Sequence, residues 1–406
     1  MSTDISRRRL GAGALLAGGF GGLSSEAFAQ APAPAATGID FFRPTNVYAA
    51  QTQRLAGEAL YGAADVFEIE EVCRGLKPDD VAAWDAAWLK LAEQAEGEAR
   101  TAEGRGEKAT AVSRYFHASN YFRQSEMFFF GPEDKRKAER FLRSQAAFRK
   151  AIALKGAQFR VIQVKSGNET YDGYFCLPDG YRPGTKVPTV FLIGGADSYG
   201  EENFFSGTAL LARGMAMLIL DTPGRGSAIY VNNIPTRADY EVPVKAAIDW
   251  LVTQPEVDTN RIGLAGISMG GYYAPRAAAF DKRVKALVCW CATTNLLQDL
   301  YIWNPPIQRQ LQWITGSPDD ATARKKLVEF DLTKIVDRIT VPTLVVHGSN
   351  DRVMDVRGAQ RFFDTLKTKD KTLRIVDGAG SGHCNYAAWS SVVPYMFDWM
   401  AAKLAV

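Results

Sequence analysis

Gly266-Ile267-Ser268-Met269-Gly270-Gly271 sets a serine among glycines, directly after the apolar run Ile262 to Ala265 and directly before the helix-prone Tyr272 to Phe280. A strand that turns sharply into a helix, with small residues on both sides, lifts one hydroxyl clear of the backbone, as a serine nucleophile requires. That hydroxyl needs a base, and the chain has three histidines. His117 lies in a helix-like stretch and reads as a core or surface residue. His347, at the tip of Val346-His347-Gly348, reads as structural. His383 stands in Gly378-Ala379-Gly380-Ser381-Gly382-His383-Cys384, a glycine-rich loop able to bring an imidazole over strand ends, and is the candidate base. Asp351, in His347-Gly348-Ser349-Asn350-Asp351, is the acid placed to orient it. Asp355 reads instead as a helix cap and Asp377 as a loop acid.

Acyl chemistry also needs two N–H groups for the developing oxyanion. Met269, next to the serine, supplies one. The other is expected from Gly194-Gly195-Ala196-Asp197-Ser198, with Ala196 first and Gly195 second. Asp197 and Glu201-Glu202 are candidates for substrate contact, although acids that open a helix often only complement its dipole. Asp299, in the segment 295–303, reads first as a surface acid, with a place in the substrate pocket as the alternative. Asp221-Thr222-Pro223-Gly224-Arg225-Gly226 lacks phosphate-loop spacing and reads as a tight turn.

The elements that must position these residues follow from periodicity. From Phe41 to Lys155 the pattern is helical. One stretch, capped by Asp79-Asp80, runs through Val81, Trp84, Trp88 and Leu91; a second runs from Ala109 to Phe130. After Gly131-Pro132 a third, Glu133 to Leu154, sets Phe141, Leu142 and Phe148 on one face. From Phe159 onward eight short β runs alternate with helical segments. Residues 159–164 and 171–177 read as an antiparallel pair, and 189–193, 216–220, 262–266, 284–290, 343–346 and 372–376 as buried parallel strands. The expected class is α/β: a doubly wound, mostly parallel eight-stranded sheet, with chemistry at the carboxyl ends of its strands. An N-terminal helical domain would span 41–155 and the sheet domain 156–406, with a cap insertion at about 292–338 after the sixth strand.

The chain of 406 residues is 47% hydrophobic and 23% charged, ordinary globular usage. A net charge of +3 without long basic runs gives no reason to expect a nucleic-acid or membrane surface. Five cysteines, an odd number, write no disulfide framework, and Cys289 and Cys291 are poorly placed to bond to each other. With no CxxC or HExxH spacing, neither a metal nor an organic cofactor is expected. Ser6-Arg7-Arg8-Arg9-Leu10, the short apolar stretch 10–23 and Ala27-Phe28-Ala29 follow the order of a twin-arginine export signal over 1–29, with a linker over 30–40. Export would place the mature protein in the periplasm or outside the cell, delivered folded.

The serine motif, the Ile193-to-Ser198 loop with Glu201-Glu202, the Asp221 turn, His347-Gly348 to Asp351, and Gly382-His383-Cys384 together resemble one branch of the α/β-hydrolases. That branch includes 2,6-dihydroxypseudooxynicotine hydrolase, fungal polyketide-shortening hydrolases and the fermentation-respiration switch protein. The chain order serine, acid, histidine is that of the superfamily. The resemblance covers about Tyr115 to the C-terminus. It implies a helical domain before the core and, in characterised members, cleavage of a carbon–carbon bond beside a ketone, assisted by an acid after the sixth strand where Asp299 stands here. The chain departs from the branch in its export signal and in Thr222, where glycine is usual.

Residues and resemblance together give an expected serine hydrolase. Ser268, Asp351 and His383 would act through an acyl-enzyme on a small-molecule ester, lactone or 1,3-diketone. An acylaminoacyl-peptidase-like peptidase is the alternative, disfavoured because the first 150 residues read as helices rather than a propeller. A non-catalytic binding protein on the same fold is the other. Whether the helical domain closes over the site or forms a homodimer interface stays open at this level.

Overall fold

Uninterrupted runs of aliphatic residues form the strands at the centre of the molecule. The computed structural model describes residues 49–77 and 80–405. The expected export signal, the linker and Asp79 lie outside them. The strands are β1 (Phe159–Ser166), β2 (Glu169–Cys176), β3 (Val187–Ile193), β4 (Ala216–Leu220), β5 (Val257–Ile267), β6 (Val284–Trp290), β7 (Thr343–Gly348) and β8 (Lys371–Val376). They make one sheet in the order β1-β2-β4-β3-β5-β6-β7-β8. β2 pairs antiparallel with both β1 and β4, and every later pairing is parallel. β4 and β7 are buried at every position, as strands covered on both faces must be, whereas β1 alternates and the edge strand β8 is half-exposed.

Among the described residues five helices precede the sheet: α1 (Ala49–Ala59), α2 (Val66–Arg74), α3 (Val81–Gly104), α4 (Lys108–Glu126) and α5 (Lys135–Lys155). Asp80 caps α3 by accepting from the Ala83 N–H, and the buried stripe of that helix is Trp84, Trp88, Ala92, Ala95, Ala99 and Ala102. Val81 is exposed, so the apolar face starts one turn later than its composition indicates. On α5, Phe141 and Phe148 are buried but Leu142 is exposed. Residues seven apart share a helix face, and an adjacent residue lies about 100° around it, which corrects the expected grouping of Leu142 with the two phenylalanines. Packed between α3 and α5, α4 is buried at every residue from Tyr115 to Glu126.

Eight helices lie within the sheet region: α6 (Gly200–Leu211), α7 (Gly226–Tyr230), α8 (Glu241–Leu251), α9 (Gly270–Phe280), α10 (Gln308–Ile314), α11 (Asp320–Leu327), α12 (Val356–Thr365) and α13 (Trp389–Lys403). Gly263 of β5 faces Met400 of α13, and Gly266 faces Gly270 and Ala274 of α9. Three residues apart on a strand means opposite faces, so the sheet is covered on both sides. A side chain at Gly266 would overlap the Gly270 carbonyl, which is why β5 can run so closely into α9. A π-helical turn (Leu297–Ile302), α10 and α11 occupy the connection from β6 to β7. Among the described residues no helix is long and apolar enough to cross a membrane.

Candidate active site

Ser268 sits at the turn from β5 into α9 with φ +56, a left-handed conformation that non-glycine residues enter only when the surroundings impose it. Its N–H donates to the Trp290 carbonyl at 2.8 Å and its carbonyl accepts from the Gly271 N–H at 2.7 Å, which fix the elbow. The hydroxyl projects to His383, with Oγ 2.9 Å from Nε2. Nδ1 of the same ring lies 2.8 Å from Oδ2 of Asp351. The three residues chosen from sequence are therefore joined, in the order that lets the ring take the serine proton while the carboxylate holds its tautomer.

Asp351 is held on all sides. Oδ1 accepts from the Val353 and Met354 N–H groups at 2.8 and 2.9 Å. Oδ2 lies 3.1 Å from His347 Nε2 and 3.5 Å from Cys291 Sγ. His347 is fully buried and also donates to the Met354 carbonyl at 3.1 Å, so it supports the carboxylate from below. Burial acts to raise the Asp351 pKa, but the two imidazoles outweigh it and hold the carboxyl well below the usual range. For His383 burial acts downward, while Asp351 and then Cys384 hold its pKa well above the ordinary histidine value. Asp355 does not join the group; it caps α12 by accepting from the Arg357 N–H at 3.0 Å. His117 lies apart as well, with Nδ1 3.0 Å from Arg114.

Around the nucleophile, the Gly195 backbone comes so close that a Cβ there would stand 2.8 Å from the Ser268 Cβ. Neither Met269 nor Ala196 has a protein acceptor for its N–H among the described residues. Two buried, unclaimed donors flanking a serine hydroxyl are what an oxyanion hole requires. Gln310 of α10 donates to the Ala196 carbonyl at 3.3 Å and so ties this loop to the β6–β7 connection.

Asp197 pairs with Arg54 of α1, Nη1 to Oδ2 at 2.8 Å. Arg54 also binds Glu202, which takes Arg123 of α4 at 3.2 Å. Burial acts to raise the Asp197 pKa, but Arg54 and Arg123 bring it down to about 2. Neither arginine stood out in the sequence, where each is one cation on a helix; their near-total burial is the missing signal. Glu201 instead accepts the Tyr174 hydroxyl. In the Asp221 turn, Oδ1 accepts from the Gly200 N–H at 2.9 Å and Oδ2 from the Ser227 N–H at 2.8 Å, so one carboxylate sits at the starts of α6 and α7. Thr222 accepts the Tyr240 hydroxyl at 2.6 Å, a bond that glycine could not make.

Asp299 is 1% exposed, which corrects its first reading as a surface acid. Its carboxylate accepts from the Thr293 hydroxyl at 2.6 Å and pairs with Arg361. Among the described residues it makes no hydrogen bond to Ser268 or His383. It lines a separate open cleft of about 830 Å³ with Trp303, Arg357 and Arg361.

All five cysteines are free. Cys291, His383 and Cys384 offer donor atoms within 4.8 Å of one another, as do Cys291, His347 and Asp351. Both nitrogens of His383 are already engaged by Ser268 and Asp351, so a metal there would have to break the hydrogen-bonded chain.

Comparison with known proteins places this geometry. Residues 51–303 match the esterase FrsA-like family and residues 203–405 the prolyl oligopeptidase family; both spans include Ser268, and the second includes Asp351 and His383. Hydrolase pyiE of Pyricularia grisea is 34% identical over 272 residues, covering 61% of this chain and 58% of that protein. Alpha/beta hydrolase xenA of Xenoacremonium sinensis is 36% identical over 258 residues, covering 61% and 60%. The chain thus spans somewhat under two thirds of these relatives. The crystal structure of 2,6-dihydroxy-pseudo-oxynicotine hydrolase superposes with a TM-score of 0.75 at 23% identity, covering 86% of this chain and 95% of that one, which shows a shared fold. The chain belongs to the α/β-hydrolases, in the esterase FrsA-like family, with a C-terminal half that also fits the prolyl oligopeptidase family.

Proposed function

We propose that this protein is a serine hydrolase that cleaves a small carbonyl substrate through an acyl-enzyme, with esters and lactones as first substrates and 1,3-diketones as the related class. The observation that carries the reading is the unbroken chain Ser268–His383–Asp351 at 2.9 and 2.8 Å, beside two unclaimed N–H groups. His383 removes the Ser268 proton as Oγ attacks the carbonyl; the oxyanion settles between the Met269 and Ala196 N–H groups. Imidazolium then protonates the leaving group. Water, deprotonated by the same ring, releases the acid and restores the serine. For an ester the leaving group is an alkoxide, and the proton on His383 suffices. Carbon–carbon cleavage needs a neighbouring ketone to take the charge as an enolate, and Asp299, the acid that would assist, is bound to Thr293 and Arg361 and makes no hydrogen bond to Ser268 or His383 among the described residues. That favours the ester arm.

The aromatic cluster Phe141, Tyr199, Tyr230 and Trp313 joins the helical segment, the sheet loops and the β6–β7 connection, with Tyr230 and Trp313 stacked at 5.2 Å. The order of charged, apolar and small residues over 1–29, read as an export signal, supports action in the periplasm or outside the cell.

The test is a paired assay on p-nitrophenyl acyl esters and an aryl 1,3-diketone, with Ser268→Ala as control. Ester turnover lost in the variant supports the reading. Diketone turnover faster than ester turnover, equally lost, moves the substrate to the carbon–carbon class. No serine-dependent turnover of either overturns it.

A further inference from the structure

Two thiols that the mechanism does not use lie against the catalytic histidine and acid. Cys291 follows β6 and Cys384 follows His383; they are 93 positions apart in the chain, and both are fully buried. Their sulfurs are 3.6 Å apart. The Cys384 N–H donates to Cys291 Sγ at 3.3 Å, and the Cys291 thiol reaches Asp351 Oδ2 at 3.5 Å. Cys291 and Cys384 also hold left-handed backbone, φ +67 and +48, which turns both side chains inward at the sheet's carboxyl edge. From the geometry we infer that Cys291 and Cys384 are a modification site: a two-electron oxidant of the peroxide class converts them to a disulfide that reversibly switches off the adjoining triad.

The two thiols balance the step. Cys384 sulfur attacks one peroxide oxygen, the O–O bond breaks, and a sulfenic acid and water result. Cys291 sulfur then attacks Cys384 sulfur, the S–S bond forms, and a second water leaves, so both thiol protons end on water and the peroxide takes two electrons. Burial acts to raise the Cys384 pKa, but the hydrogen bond from Cys291 and the charge of His383 bring it down to about 6, which makes it the attacking sulfur. Hydrogen peroxide is close to water in size and polarity, and the site must admit water for deacylation. Bonding closes the sulfurs from 3.6 Å to about 2 Å. That displacement is taken up next to His383.

The inference rests on the proposed hydrolase only for its activity readout, since the bond itself is read by mass. The protein is treated with hydrogen peroxide, quenched with N-ethylmaleimide, mapped by peptide mass and assayed on a p-nitrophenyl ester before and after dithiothreitol. The expected result is a cross-linked peptide joining Cys291 and Cys384, at least about a tenfold loss of kcat/KM, and recovery with dithiothreitol. Cys291→Ala and Cys384→Ser, each compared with its own untreated sample, should form no cross-link and show no dithiothreitol-reversible loss of activity on peroxide treatment. A 291–384 cross-link with unchanged activity would overturn the switch. Three results would overturn the site itself: no cross-link, a cross-link through Cys289, or loss that dithiothreitol does not reverse. The last would point to sulfinic acid or to oxidation of Met354, whose sulfur lies 4.0 Å from Ser268 Oγ. Should the protein hydrolyse no ester at all, the mass map still decides whether the bond forms.

Discussion

The two halves of the candidate site are built in different ways. The triad half comes from strand ends: β5 carries Ser268, the turn after β7 carries Asp351, and the loop after β8 carries His383. Each is fixed by hydrogen bonds made among these strand ends and their turns. The loop facing the nucleophile, 194–198, is held from a distance by Arg54 and Arg123, which belong to helices that precede the whole sheet. In the proposed mechanism reactivity belongs to the sheet edge, while the oxyanion loop is braced by the helical segment through Arg54 and Arg123 and by Gln310 of α10. Damage to the two halves should therefore look different.

The largest effect is expected in the triad half. Ser268→Ala and Asp351→Asn should each lower kcat by about 10⁴-fold, with thermal unfolding of the serine variant little changed. Equal loss of stability and activity in Ser268→Ala would break the separation. In the other half, Arg54→Met leaves Asp197, Glu58 and Glu202 without their shared cation in a buried setting. Denaturant unfolding should then show a loss of about 3–5 kcal/mol, together with a fall in kcat/KM as the loop relaxes. A stable, fully active Arg54→Met would show that the helices do not set the loop.

Legibility divides along the same line. β3 to β7 could be located because buried strands are written as continuous apolar runs, β1 by its alternation, and the serine turn because only glycine fits where Gly266 meets Gly270. Arg54 and Arg123 could not be read, because a cation on a helix looks the same whether it meets water or a buried acid 70 or more residues away. Asp299 looked exposed for the converse reason: its partner Arg361 lies on α12, 62 residues further along. Cys291 and Cys384 meet only because their loops leave the same edge of the sheet.

A smaller effect sharpens the account of the triad half. In the proposed mechanism neutral His383 is the base, and its pKa is raised above the ordinary 6.5 by Asp351 and Cys384 against the effect of burial. The rise of kcat/KM with pH should therefore be centred above 6.5, and Asp351→Asn should move it down. The sign for stability is opposite: the raised pKa favours the protonated folded form, so this contribution is full below pH 6.5 and is lost as pH rises through the folded value. A profile centred at or below 6.5 in the parent would contradict the pairing.

The smallest change in activity is expected at Asp299. Asp299→Asn weakens the bonds to Thr293 and Arg361 and should lower stability by about 1–3 kcal/mol while ester kcat/KM stays near that of the parent. Selective loss of diketone turnover in this variant would instead draw Asp299 into the chemistry.

Whether Ser268 is an activated nucleophile is read by intact-mass analysis after reaction with a fluorophosphonate probe. One adduct per chain is expected, located on Ser268, absent from Ser268→Ala and much slower to form in Asp351→Asn. No adduct on the folded protein, or an adduct on another residue, would contradict it.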